Sequence, residues 1–274
     1  MCGDDPQELE GKVAVVTGAG GVLCSGMAEA LARAGAAVAL LDLRPEAAQA
    51  VADRINRAGG KALAVKANVL DKKDVQTAEQ TVREQLGQAD ILVNGAGGNR
   101  PEATTKPDLE FFDLPPDAVR WVFELNFIGT LMPSQVFGKS MARAKKGCIV
   151  NISSMNAFRP LTRIPAYSAA KAAVSNFTQW LAVHMAQNYS HDIRVNAIAP
   201  GFFLTDQNRF LLTEKETGNL TDRGKTILAH TPMGRFGAPE DLVGTLLWLV
   251  GDGAKFVTGV VVPVDGGFSA FSGV

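Results

Sequence analysis

A phenol and an ammonium four residues apart, Tyr167 and Lys171, are the pair in this chain that points most directly to proton transfer. Residues i and i+4 of a helix share a face, and the helical pattern here starts at Pro165 and runs to about Asn188. An ammonium beside a phenol favours the phenolate, bringing its pKa down from about 10 toward the range of a general acid/base. Such a pair is more often a surface pair, so spacing does not settle its role. Its surroundings matter: an apolar run from Cys148 to Ile152 ends upstream in Ser153-Ser154, two hydroxyls at a strand terminus.

A second chemistry is written between the first apolar run, Lys12 to Thr17, and the helical pattern after it, as Thr17-Gly18-Ala19-Gly20-Gly21-Val22-Leu23-Cys24. Glycines there let backbone N–H groups approach a pyrophosphate where the helix dipole favours negative charge, although glycines also build ordinary turns. The next strand ends in Asp42. A carboxylate there can accept both hydroxyls of an adenosine ribose and repels a 2′-phosphate, which favours NAD; Asp42 as a simple turn cap before Pro45 is the alternative, and Arg44 keeps NADP open.

The elements that must position these groups alternate. Strand-like runs at Lys12–Thr17, Ala37–Asp42, Lys61–Val65, Asp90–Val93, Cys148–Ile152, Ile193–Ile198 and Val260–Val264 are separated by helical patterns. The helices expected are about Met27–Ala34, Pro45–Ala58, Asp71–Leu86, Pro116–Ala144, Pro165–Asn188 and Pro239–Val250. Alternation with right-handed crossovers predicts an α/β fold: one Rossmann-type domain over 1–274, with a doubly wound, parallel, seven-stranded sheet and helices on both faces. The polar stretch 201–231 reads as a loop about 30 residues long, and loops of that length are often functional lids.

Composition excludes several classes. Lys+Arg 27 against Asp+Glu 28 gives a net charge of −1, without the basic field that binds nucleic acid or anionic membrane. No apolar stretch approaches a membrane span, and the acidic N-terminus is unlike a signal peptide. Cys2, Cys24 and Cys148 are dispersed, which fits a reducing, cytoplasmic setting. His184, His191 and His230 lack metal-ligand spacing, so no metal site is expected. Glycine is high, at 28 of 274 residues.

From Lys12 to Gly267 the chain resembles the short-chain dehydrogenase/reductase superfamily. The resemblance is carried by Thr17-Gly18, Asn94-Gly95-Ala96-Gly97, Asn126, Ser154, Tyr167, Lys171, Pro200-Gly201 with Thr205, and Val264-Asp265-Gly266-Gly267. It implies that Tyr167 exchanges a proton with the substrate oxygen, Lys171 lowers its pKa and bonds the nicotinamide ribose, Ser154 polarises the carbonyl, and Asn126 supports a relay water. It implies a dinucleotide along Gly18, Gly20, Gly21, Val22, Leu23, Asp42, Asn68, Val69, Asn94, Ala96, Gly97, Pro200, Gly201 and Thr205, and a homotetramer. Two features depart from the superfamily pattern: Val22 and Cys24 stand where glycines are usual, and Asn68 where an Asp is usual.

Within that superfamily the segments Ser153–Thr162, Pro200–Thr205 and Asp265–Val274 resemble the D-mannonate oxidoreductase (fructuronate reductase) branch. A sugar acid needs a guanidinium and several amides or hydroxyls. Asn99, Arg100, Asn156, Arg159, Gln207, Asn208 and Arg209 are such groups near strand carboxyl ends, with Arg159 or Arg209 expected to hold the carboxylate. A pocket for 3-oxoacyl, steroid, gluconate-type or simple sugar substrates is the alternative, its apolar form built from Phe202, Phe203, Phe210, Leu211 and Leu212. A dinucleotide-binding sensor without catalysis is a more distant one.

Overall fold

The computed structural model describes residues 8–204, 212–214 and 217–273. Seven strands, β1 (Val13–Thr17), β2 (Ala37–Asp42), β3 (Lys61–Lys66), β4 (Ile91–Asn94), β5 (Gly147–Ile152), β6 (Ile193–Pro200) and β7 (Val261–Val264), form one sheet in the order β3-β2-β1-β4-β5-β6-β7. Every neighbouring pair is parallel. The strands read as continuous apolar runs because they are covered on both faces; all of β1 and β4 is buried.

The connecting helices are α1 (Val22–Arg33), α2 (Pro45–Arg57), α3 (Lys72–Gln85), α4 (Pro116–Phe123), α5 (Gly129–Ala144), α6 (Pro165–Asn188), α7 (Asp222–Ala229) and α8 (Val243–Val250). The side-chain period of two divides each strand between two cores. On one face Ala14, Val16, Val38 and Leu40 meet Met27 and Leu31 of α1, Val51 of α2 and Leu246 of α8. On the other, Val13, Val15, Leu92 and Ile149 meet Val82 of α3, Phe137 of α5 and Leu181 of α6. Each fully buried large side chain contributes roughly 1.5–3 kcal/mol, and Phe137 and Met27 are among the largest wholly enclosed ones.

Three expectations are corrected. The helical stretch 116–144 is broken by a π turn, Glu124–Ile128, which separates α4 from α5; a single extra residue in a helix leaves almost no periodicity signal. The stretch 201–231 contains a helix, α7, N-capped by Thr221, whose hydroxyl accepts from the Gly224 N–H at 3.1 Å. Its cap and the Asp222 in its first turn are the start signals that a reading of polarity alone passes over. Finally, Pro239–Leu242 is a 3-10 turn and α8 starts only at Val243. Among the described residues no helix is long and apolar enough to cross a membrane, and no group of three His, Cys, Asp or Glu could hold a metal.

From β1 the chain crosses to β2 and β3 on one side and then returns to place β4 on the other. The crevice at the carboxyl ends of β1 and β4 is therefore the topological switch point, where such sheets bind ligands. The Thr17 hydroxyl closes its base by accepting from the N–H groups of Gly95 and Ala96 at 3.1 and 3.2 Å.

Candidate active site

The glycine turn is fitted to this crevice atom by atom. Gly18 has φ +65°, and a Cβ there would lie 2.8 Å from the Ala96 Cα, so both conformation and space require glycine. The Gly20 N–H donates to Asp42 Oδ2 and the Arg44 N–H to Oδ1, each at 2.9 Å. These two main-chain donors hold a carboxylate that is only 8% exposed at the edge of the cleft. The first helical N–H groups, of Val22 and Leu23, have no acceptor among the described residues, as an anion-binding helix start requires. Free N–H donors, a glycine cradle and a fixed carboxylate beside it fit an adenine dinucleotide.

Cys24 does not obstruct this arrangement. Its side chain is buried and packs on Gly95 beneath the turn, and burial pushes its thiol up to about 12, so at neutral pH it is a protonated, packed group.

The cleft has a volume of about 610 Å³. Among the described residues, every cofactor position expected from the sequence lines it except Asn94. The Asn94 side chain turns into the protein, where its Nδ2 donates to Ser134 Oγ at 2.9 Å and Asn151 Oδ1 at 2.8 Å, and Asn151 continues the chain to Thr178. That corrects its expected place beside the cofactor: its amide braces β4 against β5 and α5. Asn68 lines the cleft, with its amide oxygen accepting from the Leu70 N–H at 3.0 Å. Thr205 and Arg209, with Gln207, Asn208, Phe210 and Leu211, lie outside the described residues.

Ser154, at the end of β5, and Tyr167 and Lys171, on the first turns of α6, share the cleft. Lys171 is 4% exposed; its Nζ donates to the Ile152 carbonyl at 2.7 Å and lies 5.6 Å from the Tyr167 ring centroid. Burial lowers its pKa to about 8. Burial raises the Tyr167 phenol, and the group that pulls it back down is the Ser154 hydroxyl. The ammonium donates to a backbone carbonyl of β5, and the Ser154 hydroxyl acts on the phenol.

Asn126 lies behind this group in the π turn. Its Nδ2 donates to the carbonyls of Gly98 and Val122, both at 2.7 Å, and its Oδ1 accepts from the Gly98 N–H at 3.2 Å. Gly97 lies between Asn126 and Lys171: a Cβ there would approach Asn126 Oδ1 to 2.6 Å and Lys171 Nζ to 3.2 Å. Ser154, Tyr167 and Lys171 therefore converge on one end of the cleft, with Asn126 behind them and Asp42 at the other end.

The substrate residues expected from the sequence do not gather there. Asn99 is exposed and donates to Thr104 at 2.9 Å; Arg100 pairs with Glu102 and stacks over Trp121; Arg159 is exposed and lines neither this cleft nor the neighbouring cavity. Asn156 is buried beside Ser154. It also lines a second cavity of about 610 Å³, along with Thr105, Phe111, Arg163 and Ser168. Arg163 has φ +75°, uncommon for a side-chain-bearing residue, and its carbonyl accepts from the Thr105 N–H at 2.8 Å. Its charge acts on the partly buried Arg223 of α7, whose pKa is lowered first by burial and then by Arg163. Neither guanidinium has an acidic partner among the described residues. The sequence reading missed both: Arg163 lies in a loop without periodicity, and Arg223 in a helix read as loop.

Residues 12–216 match the family model described as short chain dehydrogenase. An uncharacterised oxidoreductase of Haemophilus influenzae is 53% identical over 277 residues, covering 97% of this chain and 96% of its own, and one of Bacillus subtilis is 51% identical, covering 98% of each. The 7alpha-hydroxysteroid dehydrogenase of Escherichia coli is 33% identical, covering 97% of this chain and 98% of its own. Among solved structures, a Haemophilus protein provisionally designated D-mannonate oxidoreductase, with NAD bound, superposes with a TM-score of 0.91 at 53% identity, covering 97% of this chain and 98% of its own. The matched segment, the relatives' full-length coverage and the shared parallel sheet agree: the chain belongs to the short-chain dehydrogenase family.

Proposed function

We propose that this enzyme uses NAD to interconvert a secondary alcohol and the corresponding ketone of a sugar acid, D-mannonate and D-fructuronate. The observation that carries this reading is the convergence of Ser154, Tyr167 and Lys171 at one end of a cleft whose other end holds Asp42. Bound there, the nicotinamide supplies the chemistry of hydride transfer. The protein's share is to hold and move protons: Tyr167 gives or takes the proton on the substrate oxygen, Ser154 donates a hydrogen bond to that oxygen, and Lys171 provides positive charge and a ribose contact. Asn126, seated at Gly97 and Gly98, fixes the wall behind them and lies where it can serve a proton relay. Asp42 would hold the adenosine end, its charge favouring ribose hydroxyls over a 2′-phosphate, and Asn68 and Val69 line the same cleft.

Support for a sugar acid comes from the Haemophilus structure's designation and from Arg163, which lines the second cavity with no acidic partner among the described residues, and Arg223 near it. The carboxylate is assigned to these in place of Arg159, the other expected group, Arg209, lying outside the described residues. A homotetramer is part of the proposal. The ring ladder Phe123, Phe127, Phe177, Trp180 and His184 on the outer faces of the central helices supports subunit contact, because Trp180 is 57% exposed. The test is a substrate panel: D-fructuronate with NADH and D-mannonate with NAD, against gluconate-type, simple sugar, steroid and 3-oxoacyl compounds. Turnover of the sugar-acid pair supports the reading; turnover confined to 3-oxoacyl or steroid ketones overturns it.

A further inference from the structure

Ser154 Oγ receives two hydrogen bonds, both from Asn156: one from its backbone N–H at 3.3 Å and one from its side-chain Nδ2 at 3.2 Å. A hydroxyl has two acceptor positions and one proton to give. With both acceptor positions filled, the proton of Ser154 can only point outward as a donor. The orientation of the Asn156 amide is fixed as well, because its Oδ1 accepts from the Leu161 N–H at 3.2 Å; a flipped amide would set an NH2 against that N–H and leave Ser154 with a rival acceptor. Asn156 is 6% exposed, and a buried polar group in this setting is costly to leave unpaired.

We propose that Asn156 is a positioning residue that holds the Ser154 hydroxyl as a dedicated donor, aimed at the Tyr167 oxygen and at the substrate oxygen that joins it during reaction. This rests on the proton-transfer roles given above to Ser154 and Tyr167, and it moves Asn156 from a substrate contact to a part of the acid/base machinery. The groups around the phenol agree. Tyr167 packs on Ala103, Ala118, Val122 and Ala166, and the charged group beside it is Lys171. The Ser154 hydroxyl lines the same cleft as the phenol, and the downward pull it exerts on Tyr167 is the one a donating hydroxyl gives.

The chain contains two tyrosines, Tyr167 and Tyr189. In a Tyr189→Phe background, the near-ultraviolet absorbance of tyrosinate reports Tyr167 alone and needs no substrate. Asn156→Leu, close in volume but without a donor, is expected to raise the Tyr167 midpoint by about one pH unit, the scale of one lost hydrogen bond. The isosteric Asn156→Asp should raise it further, since a carboxylate recaptures the Ser154 proton. In Ser154→Ala the Asn156→Leu change should have no additional effect. An unchanged midpoint in Asn156→Leu, with NAD binding and Tm intact, would overturn the proposal. So would a shift of equal size that persists in Ser154→Ala, because Asn156 would then act on Tyr167 directly. Should Asn156→Leu not fold, Asn156→Asp with and without Ser154→Ala decides in the same way. The titration stands whatever the substrate panel shows, so the two readings fail separately.

Discussion

The sulfur of Cys24 occupies the space that a side chain on Gly95 would need. The glycine turn and the β4 terminus are therefore packed against each other through one thiol, at a position where a glycine would leave a void. Cys24→Gly should cost about 1–2 kcal/mol from the lost buried group and the added flexibility of a helix interior, read as a lower Tm, while NAD affinity stays within a few-fold. Gly95→Ala should be far more damaging, because the new methyl also meets the Thr17 carbonyl at 2.9 Å; combining it with Cys24→Gly should recover part of the loss and no more.

Lys171 illustrates the cost of function. Its folded pKa of about 8 lies below the ordinary lysine value of 10.5, so between these limits the unfolded chain binds more protons and stability rises with pH. Below pH 8 the ammonium is charged in both states and its burial costs up to about 3 kcal/mol. Lys171→Met should therefore raise Tm at neutral pH, flatten the rise between pH 8 and 10.5, and abolish turnover. Thermal melts across that pH range check all three; a lower Tm at pH 7 would contradict the argument.

Cofactor choice rests on Asp42. Asp42→Ala should weaken NAD binding by roughly 10- to 100-fold, the scale of lost hydrogen bonds to a charged acceptor. With the carboxylate gone and Arg44 adjacent, NADP binding should improve. Calorimetry with both dinucleotides measures the reversal, and an unchanged preference would move the determinant elsewhere in the cleft.

Removing the phenol is the sharpest test of catalysis. Tyr167→Phe should lower kcat by about 10²- to 10⁴-fold, as expected for loss of a general acid/base, with NAD still bound. Because the free phenol is held high by burial and lowered by Ser154, Ser154→Ala should move the limb of the kcat/KM profile that reports the phenol to higher pH.

Arg163→Ala and Arg223→Ala should each raise KM for the sugar acid by about 10-fold or more, the scale of a charge-assisted hydrogen bond, while KM for NAD stays constant. A substrate lacking the carboxylate should show no such difference. Arg159→Ala, with its exposed side chain, should change neither constant.

The sheet and the central pair were legible in the sequence for the same reason: each rests on a short-range pattern. Runs such as Val13-Ala14-Val15-Val16 announce strands covered on both sides, and Tyr167 and Lys171 share a helix face by spacing alone. Illegible features depended on direction or on distant partners. Nothing local tells which way the last residue of β4 turns, so Asn94 was placed in the cleft when its amide is committed to Ser134 and Asn151. Nor does any spacing reveal that the Lys171 ammonium donates to the Ile152 carbonyl, or that the Ser154 hydroxyl pulls the phenol downward. Arg223 was hidden because a cap of one threonine and one first-turn aspartate is a weaker signal than thirty residues of polarity.

The π turn at Glu124–Ile128 gives this chain an odd-numbered dependence. Removing any one residue from 124 to 128 would let α4 and α5 join as one helix, interrupted only where Pro133 lacks an N–H, yet it would rotate everything on one side of the deletion by about 100° relative to the other. Asn126 would lose Gly98, or Val122 would leave its place against Ala103 and Ala166. Surface loops in this fold can change length freely, but this stretch cannot shed even one residue, so insertions and deletions among functional relatives should avoid it.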